Sequence, residues 1–387
     1  MGNTINLQGF TSPQFNSLKS AFLDIFNQLN ETGAAVCVYH RGNKVAHLYA
    51  NAKQMNSPDW NKNDYVPIMS CSKAFLATCI HILAARKQLD IDAPVSQYWP
   101  EFAKNSKETI TIKMVLAHTA GLPCHFNGKD GDIFNWQQSI KNIQNAQSIF
   151  KPGQEIAYHA LTYGHILGEL VYRVSGISPS QFFYENIAEP FGIESGLAQR
   201  QGIIYRTIRD YPDFTPSKLT FFSKWLPKLP FWQCQFFRPC NKDYHPNSHA
   251  WATSSIPAVN GYSTAQGMAK LYAFLANDGQ LKNQTLLPKC QVNTLKECIF
   301  SGIEKASKTH WRMAAGFMLN SPEFCSFGPN KNNFGHMGMG GSVGFSDPDN
   351  KLSFAYVTES FHRPDKHDRS ICGKRMQHLI KACYECL

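Results

Sequence analysis

Ser70 and Lys73 stand three residues apart in the run Ile68-Met69-Ser70-Cys71-Ser72-Lys73. On a helix that spacing puts the hydroxyl and the amine on one face, within reach of each other. An amine held neutral can take the hydroxyl proton, and the freed oxygen can attack a carbonyl, so the pair points to acyl transfer through a covalent intermediate. The residues that follow, Phe75, Leu76, Cys79, Ile80, Ile82 and Leu83, are apolar on nearly every side and predict a buried helix. Burial disfavours a charged ammonium and pushes Lys73 toward its basic form. Ser70 would sit at the helix N-terminus, where unpaired N–H groups and the helix dipole stabilise negative charge. Ser72 is adjacent to Lys73 and points away from it, so Ser70 is the better nucleophile. A lone Ser-x-x-Lys reads more often as an ordinary helix start, and other elements must decide.

Those elements begin with a helix after Ser12-Pro13, striped by Phe15, Leu18, Phe22, Ile25 and Leu29 and ended by Gly33. Two strand-like runs follow, Ala34–His40 and Val45–Ala50, joined through Gly42-Asn43 as a β-hairpin. From about 70 to 300 the chain is mostly helix and loop, with helices expected over 71–87, 162–175, 180–189 and 264–277. Two of them open with capping boxes, Ser178-Pro179-Ser180-Gln181 and Ser263-Thr264-Ala265-Gln266. Strand signals return at 312–319, 333–345 and 352–359, and a final amphipathic helix spans 368–385. Strands at both ends and helices between them predict an α/β (α+β) fold. One antiparallel sheet would be built from 1–66 and 300–387 and flanked by the terminal helices. A mostly helical domain would span 67–299, with the site in the cleft between the two.

Further motifs strengthen the site. Ile68 to Ala77 with Gln88-Leu89-Asp90-Ile91-Asp92-Ala93-Pro94-Val95 resembles the nucleophile region of serine β-lactamase-related proteins. Ile110-Thr111-Ile112 with Leu116 to Pro123, and Pro152-Gly153 ahead of Tyr158 with Leu167-Gly168 and Ser175-Gly176, resemble the next two signatures. Gly335 to Gly341 resembles the late strand motif. The order of all motifs is kept from about residue 10 to 360. The resemblance implies the β-lactamase/penicillin-binding-protein fold with Ser70 as acylated nucleophile. Tyr158 would share proton transfer with Lys73, whose charge would lower the phenol pKa. His336-Met337-Gly338 would replace the family's Lys-Thr-Gly at a sheet edge and bind substrate, and the N–H groups of Ser70 and Met339 would form the oxyanion hole. Two departures matter. Ala160 replaces the Asn of Tyr-x-Asn, and His336 and Met337 replace the Lys and Thr. The lost polar groups shift the expected activity toward a carboxylesterase acting on small or acyl esters. A β-lactamase or D,D-peptidase is the alternative, and a catalytically silent, ligand- or partner-binding member is the alternative of another class. An exposed His336 would titrate near pH 6.5 and make substrate binding pH-sensitive.

The rest of the sequence narrows the class. Among 387 residues 43% are hydrophobic and 17% charged, a globular composition. The excess of 38 basic over 28 acidic residues gives +10, but the bases are scattered and form no nucleic-acid motif. No His-Glu-x-x-His and no double Cys-x-x-Cys occurs, so neither metal nor other cofactor is expected. The resemblance leaves His118 structural, and His125 is the other histidine considered as a base. Gly340-Gly341-Ser342-Val343-Gly344 fits the nucleophile elbow of α/β-hydrolases, which needs a helix after it where a strand is expected. The 12 cysteines lie mostly in apolar segments such as Cys37, Cys79 and Cys298. With no signal peptide, lipidation motif or run of about 18 apolar residues, they favour a reducing, cytoplasmic setting. The partner is a small ester or amide. The aromatic segment 216–238 has three open readings: a packed loop, a lid or acyl-binding wall, and weak membrane-surface or lipid contact.

Overall fold

A computed structural model describes residues 5–52, 58–125, 128–129, 131–212, 243–362 and 373–387. Nine antiparallel strands from the two ends of the chain form one sheet. They are β1 (Ile5–Thr11), β2 (Gly33–His40), β3 (Asn43–Ala52), β4 (Phe300–Ile303), β5 (His310–Met313), β6 (Met318–Leu319), β7 (Phe334–Met337), β8 (Val343–Asp347) and β9 (Leu352–Thr358). Their order is β1-β3-β2-β9-β8-β7-β6-β5-β4, so the hairpin and the C-terminal strands meet where Ala35 faces Val357 and Val38 faces Phe354.

Strands β2, β8 and β9 are apolar almost throughout because both faces of the sheet are covered. On one face lie α1 (Asn16–Gln28) and the last helix, Gly373–Tyr384, whose Tyr384 ring stacks over Phe345. The other face carries the helix Ala265–Ala276. There Ser346 and Ser353 donate to the carbonyls of Tyr272 and Ala269 at 2.7 and 2.8 Å, which is how hydroxyls are tolerated inside those strands. The helix α2 (Ser72–Ala85) is buried on all sides and packs on α3 (Thr162–Ser175) and on the turn of helix Pro179–Phe183. Three two-residue strands, Val66–Pro67, Ser195–Gly196 and Tyr262–Ser263, form a small sheet beside the start of α2.

Several elements differ from the sequence expectation for local reasons. β1 was not anticipated, because only Ile5 and Leu7 carry the apolar alternation. The hairpin turn is Arg41-Gly42, both at positive φ, one residue earlier than expected, since His40 pairs with Asn43. The stretch 180–189 is α-helix only to Phe183 and widens to a π-turn over Tyr184–Ala188. Ser178 caps as expected, accepting from Gln181 N–H, but Thr264, not Ser263, caps the later helix. The run 312–319 breaks at Ala314-Ala315-Gly316, and 333–345 reverses through Gly338–Ser342. The final helix is described from Gly373. Cys37 and Cys79 are buried, but Cys298 is exposed. Segment 216–238 lies outside the described residues. Among the described residues, no helix is long and apolar enough to cross a membrane.

One buried carboxylate fastens the sheet to its helices. Glu31, just after α1, accepts from the N–H groups of Thr32 and Gly33 at 2.8 and 3.0 Å and from the Thr358 hydroxyl at 2.9 Å. It also accepts from the Tyr356 hydroxyl and pairs with Arg375 at 3.3 Å. Glu31→Ala leaves the buried donors and a cation without their acceptor. It is expected to lower the unfolding free energy by about 3–5 kcal/mol, read from the urea midpoint at unchanged m-value; a change within error would show that these donors find water instead.

Candidate active site

The strand Val66–Pro67 ends directly before the turn that carries Ser70. Met69 is held at φ +48°, a left-handed conformation that costs an L-residue about 1–2 kcal/mol. Three contacts hold it there. Ile68 N–H donates to Gly261 O at 3.0 Å, and the Ser72 hydroxyl donates to Met69 O while accepting from Gly261 N–H at 2.9 Å. On the other side Gly338 passes so close that a Cβ there would lie 2.3 Å from Ile68 O, so only glycine fits. Ser72 thus has a role that sequence reasoning missed: it points away from Lys73, as expected, and ties the nucleophile turn to residue 261.

Ser70 is 7% exposed, and Lys73 is wholly buried behind it. Lys73 Nζ lies 2.9 Å from Ala160 O, 3.1 Å from Ala258 O and 3.4 Å from Ser70 Oγ. Burial pushes its pKa well below 10.5. A neutral amine has two N–H bonds and one lone pair. The two carbonyls only accept, so they take the two N–H bonds and leave the lone pair facing Ser70. Ala258 reaches this position because Gly164 of α3 clears the way; a Cβ on Gly164 would lie 2.4 Å from Ala258 N. Neither carbonyl carries a side-chain signal that sequence could reveal. Ala160, where the family has Asn, still serves through its backbone.

Tyr158 hydrogen-bonds Ser70, and its ring centroid lies 4.7 Å from Lys73 Nζ. The expected lowering of its pKa is corrected. The ammonium site lies over the ring face, and burial raises the phenol above 10, with the Ser70 bond the main opposing influence. Tyr158 therefore rests as a protonated phenol. His118 packs on its ring at 4.6 Å and accepts from His159 N–H through Nδ1 at 3.0 Å. Burial drives His118 well below 6.5 and His159 down to about 3. His118 thus flanks the site as a neutral ring. His125 is elsewhere, packed against His165 at 5.1 Å.

His336 is the second correction. It is 1% exposed rather than exposed, donates through Nδ1–H to Met337 O at 2.8 Å, and is held down to about 3 by burial and by Lys73. It stays neutral across the physiological range. Its strand is an edge only in part: β6 pairs with Phe334 and Gly335 and stops, leaving His336 and Met337 beside the helix of Ser70. Among the described residues, the N–H groups of Ser70 and Met339 make no protein hydrogen bond and remain available as donors. Next to them a recess of about 10 Å³ is lined by Met69, Met339, Gly340, Ile208 and Phe361. The elbow reading of Gly340–Gly344 fails, since β8 and not a helix follows Ser342. The geometry thus brings together Ser70, Lys73, Tyr158, His336, Gly338 and Met339, and no cluster of metal-ligating side chains is found among the described residues.

Comparison with known proteins agrees with this fold. The family described as Beta-lactamase matches residues 22–371. The chain is 27% identical over 360 residues to the Esterase/beta-lactamase LipL of Mycobacterium tuberculosis (strain ATCC 25618 / H37Rv), covering 90% of this chain and 82% of that protein. The crystal structure of a family VIII carboxylesterase superposes with a TM-score of 0.86 at 26% identity, over 99% of this chain and 100% of that one. A penicillin-binding protein homolog from Caulobacter crescentus gives 0.83 at 25% identity, over 99% and 100%.

A base whose pKa is depressed is active above that lowered value and lost as pH falls through it. The kcat/KM for ester hydrolysis should therefore rise on one acid limb, set by Lys73 and lying well below pH 10.5. His336→Gln should leave the limb in place, because His336 is neutral above about pH 3. A pH-rate profile whose limb vanishes or moves by more than about half a unit in this variant would assign the titration to His336 instead.

Proposed function

The chain belongs to the Beta-lactamase family, and we propose that within it the protein is a serine carboxylesterase acting on small or acyl esters through an acyl-enzyme on Ser70. The observation that carries this is the placement of Lys73, wholly buried, held by two backbone carbonyls 3.4 Å from the Ser70 hydroxyl, where burial pushes its pKa down toward a base. Lys73 takes the Ser70 proton as Oγ bonds to the ester carbonyl carbon. The carbonyl oxygen, now negative, is held by the N–H groups of Ser70 and Met339, each such donor contributing about 2.7–4 kcal/mol in the transition state. Tyr158, protonated at rest, gives its proton to the departing alkoxide and recovers one from Lys73. Water then enters, loses a proton to the Lys73–Tyr158 pair and releases the acid, restoring Ser70.

The lining favours neutral acyl groups. His336 and Met337 stand where a cation and a hydroxyl would grip a substrate carboxylate, and neither supplies charge. A second reading, slow β-lactam hydrolysis, is favoured by one observation: the Mycobacterium relative is named for both activities.

Ser70→Ala should lower kcat on p-nitrophenyl acetate by roughly a thousandfold or more. A fluorophosphonate should add to wild-type Ser70 and not to the variant, as read by intact mass and peptide mapping. Near-wild-type turnover in the variant, or an adduct on another serine, would overturn the assignment. Nitrocefin turnover comparable to ester turnover would favour the second reading.

A further inference from the structure

We infer that Glu304 is a positioning residue for Tyr158, holding the phenol in line with Ser70 from a strand 146 residues away in sequence. The inference rests on Tyr158 serving in the reaction proposed above. Glu304 directly follows β4, and its side chain is buried against the loop that carries Tyr158. One carboxylate oxygen accepts from Tyr158 N–H at 3.0 Å. The other accepts from Ala306 and Ser307 N–H at 2.9 and 2.6 Å. The carboxylate therefore joins two loops that share no sequence neighbourhood.

The same two loops meet at further points. Glu304 and Ile156 form a parallel bridge, in which Lys305 N–H donates to Ile156 O at 3.1 Å. Lys305 also pairs with Glu155 at the surface. Trp311 of β5 lies 5.4 Å from the Tyr158 ring, and its indole N–H donates to the hydroxyls of Ser307 and Thr309 at 3.1 and 3.0 Å. The turn 304–309 thus fixes Tyr158 twice, through its backbone N–H and through the ring on its flank. The negative charge on Glu304 adds to burial in keeping the phenol protonated, the form that can donate to a leaving alkoxide.

The chemistry requires an acceptor on both arms of this residue. In Glu304→Gln one arm becomes an NH2 group that donates only. Whichever way the amide turns, it faces either Tyr158 N–H or the N–H pair of Ala306 and Ser307 with a donor, and the clamp opens. A displacement of about 1 Å at a group that must transfer a proton costs on the order of a hundredfold in rate. Substrate does not touch Glu304, so binding should be spared.

The test is a double-mutant cycle on the full chain with ethyl acetate, whose ethoxide must be protonated as it leaves. Glu304→Gln should lower kcat at least about tenfold, with KM within about twofold. In a Tyr158→Phe background, which lacks the hydroxyl, the same substitution should lower kcat less than about threefold, because the group it positions is gone. Glu304→Asp keeps the charge but withdraws the carboxylate by one methylene, so it should behave like Gln; it replaces Gln if that variant fails to fold. Equal losses in both backgrounds, or wild-type kcat in both Glu304 variants, would overturn the inference while leaving the esterase reading intact. Full activity in Tyr158→Phe would overturn the inference together with the proton-transfer role given to Tyr158.

Discussion

An amine without water around it is the constraint on which the site depends. Lys73 has exchanged solvent for two backbone carbonyls and one hydroxyl, and that exchange makes it a base. Two loops must then be delivered to one atom, each bringing a carbonyl that points inward. The loop around 258 is shaped by Asn260, whose side chain accepts from Ile256 N–H and donates to the carbonyls of Trp251 and Ser254. The loop at 156–160 is bound to the β4–β5 turn. The burial of α2 on nearly every side follows from the same need, since a wetter helix would let Lys73 charge.

The groups around the amine are kept neutral in concert. His118, His159 and His336 are all driven down by burial, and Tyr158 is driven up. The imidazoles and the phenol around the amine thus bring no charge of their own to the reacting atoms. A site of this kind answers to N–H dipoles rather than to ions.

Much of this was legible in the sequence. The fold class followed from strands at both ends and helices between. Ser70, Lys73 and Tyr158 followed from spacing and from the order of motifs, and the geometry brings them together. What escaped has two causes. Backbone groups such as Ala160 O and Ala258 O have no side-chain signature, and Glu304 or Ser72 look like ordinary polar residues until their partners, 146 and 189 positions away, are known. Burial is the other cause. His336 follows a glycine in a four-residue strand, where nothing local says that α2 covers it. The same blindness to burial inverted the expected direction of the Tyr158 shift.

The pairing of β2 with β9 links residues separated by more than 300 positions. Such a contact can form only after most of the chain has been synthesised, and closing so long a loop is entropically slow. His336 and the Met339 N–H sit between those strands and the nucleophile. A nascent chain on the ribosome thus carries Ser70 with its own N–H, and Lys73, long before it carries Met339, whose N–H is the second donor. Closing the sheet is what would bring that second donor to the nucleophile.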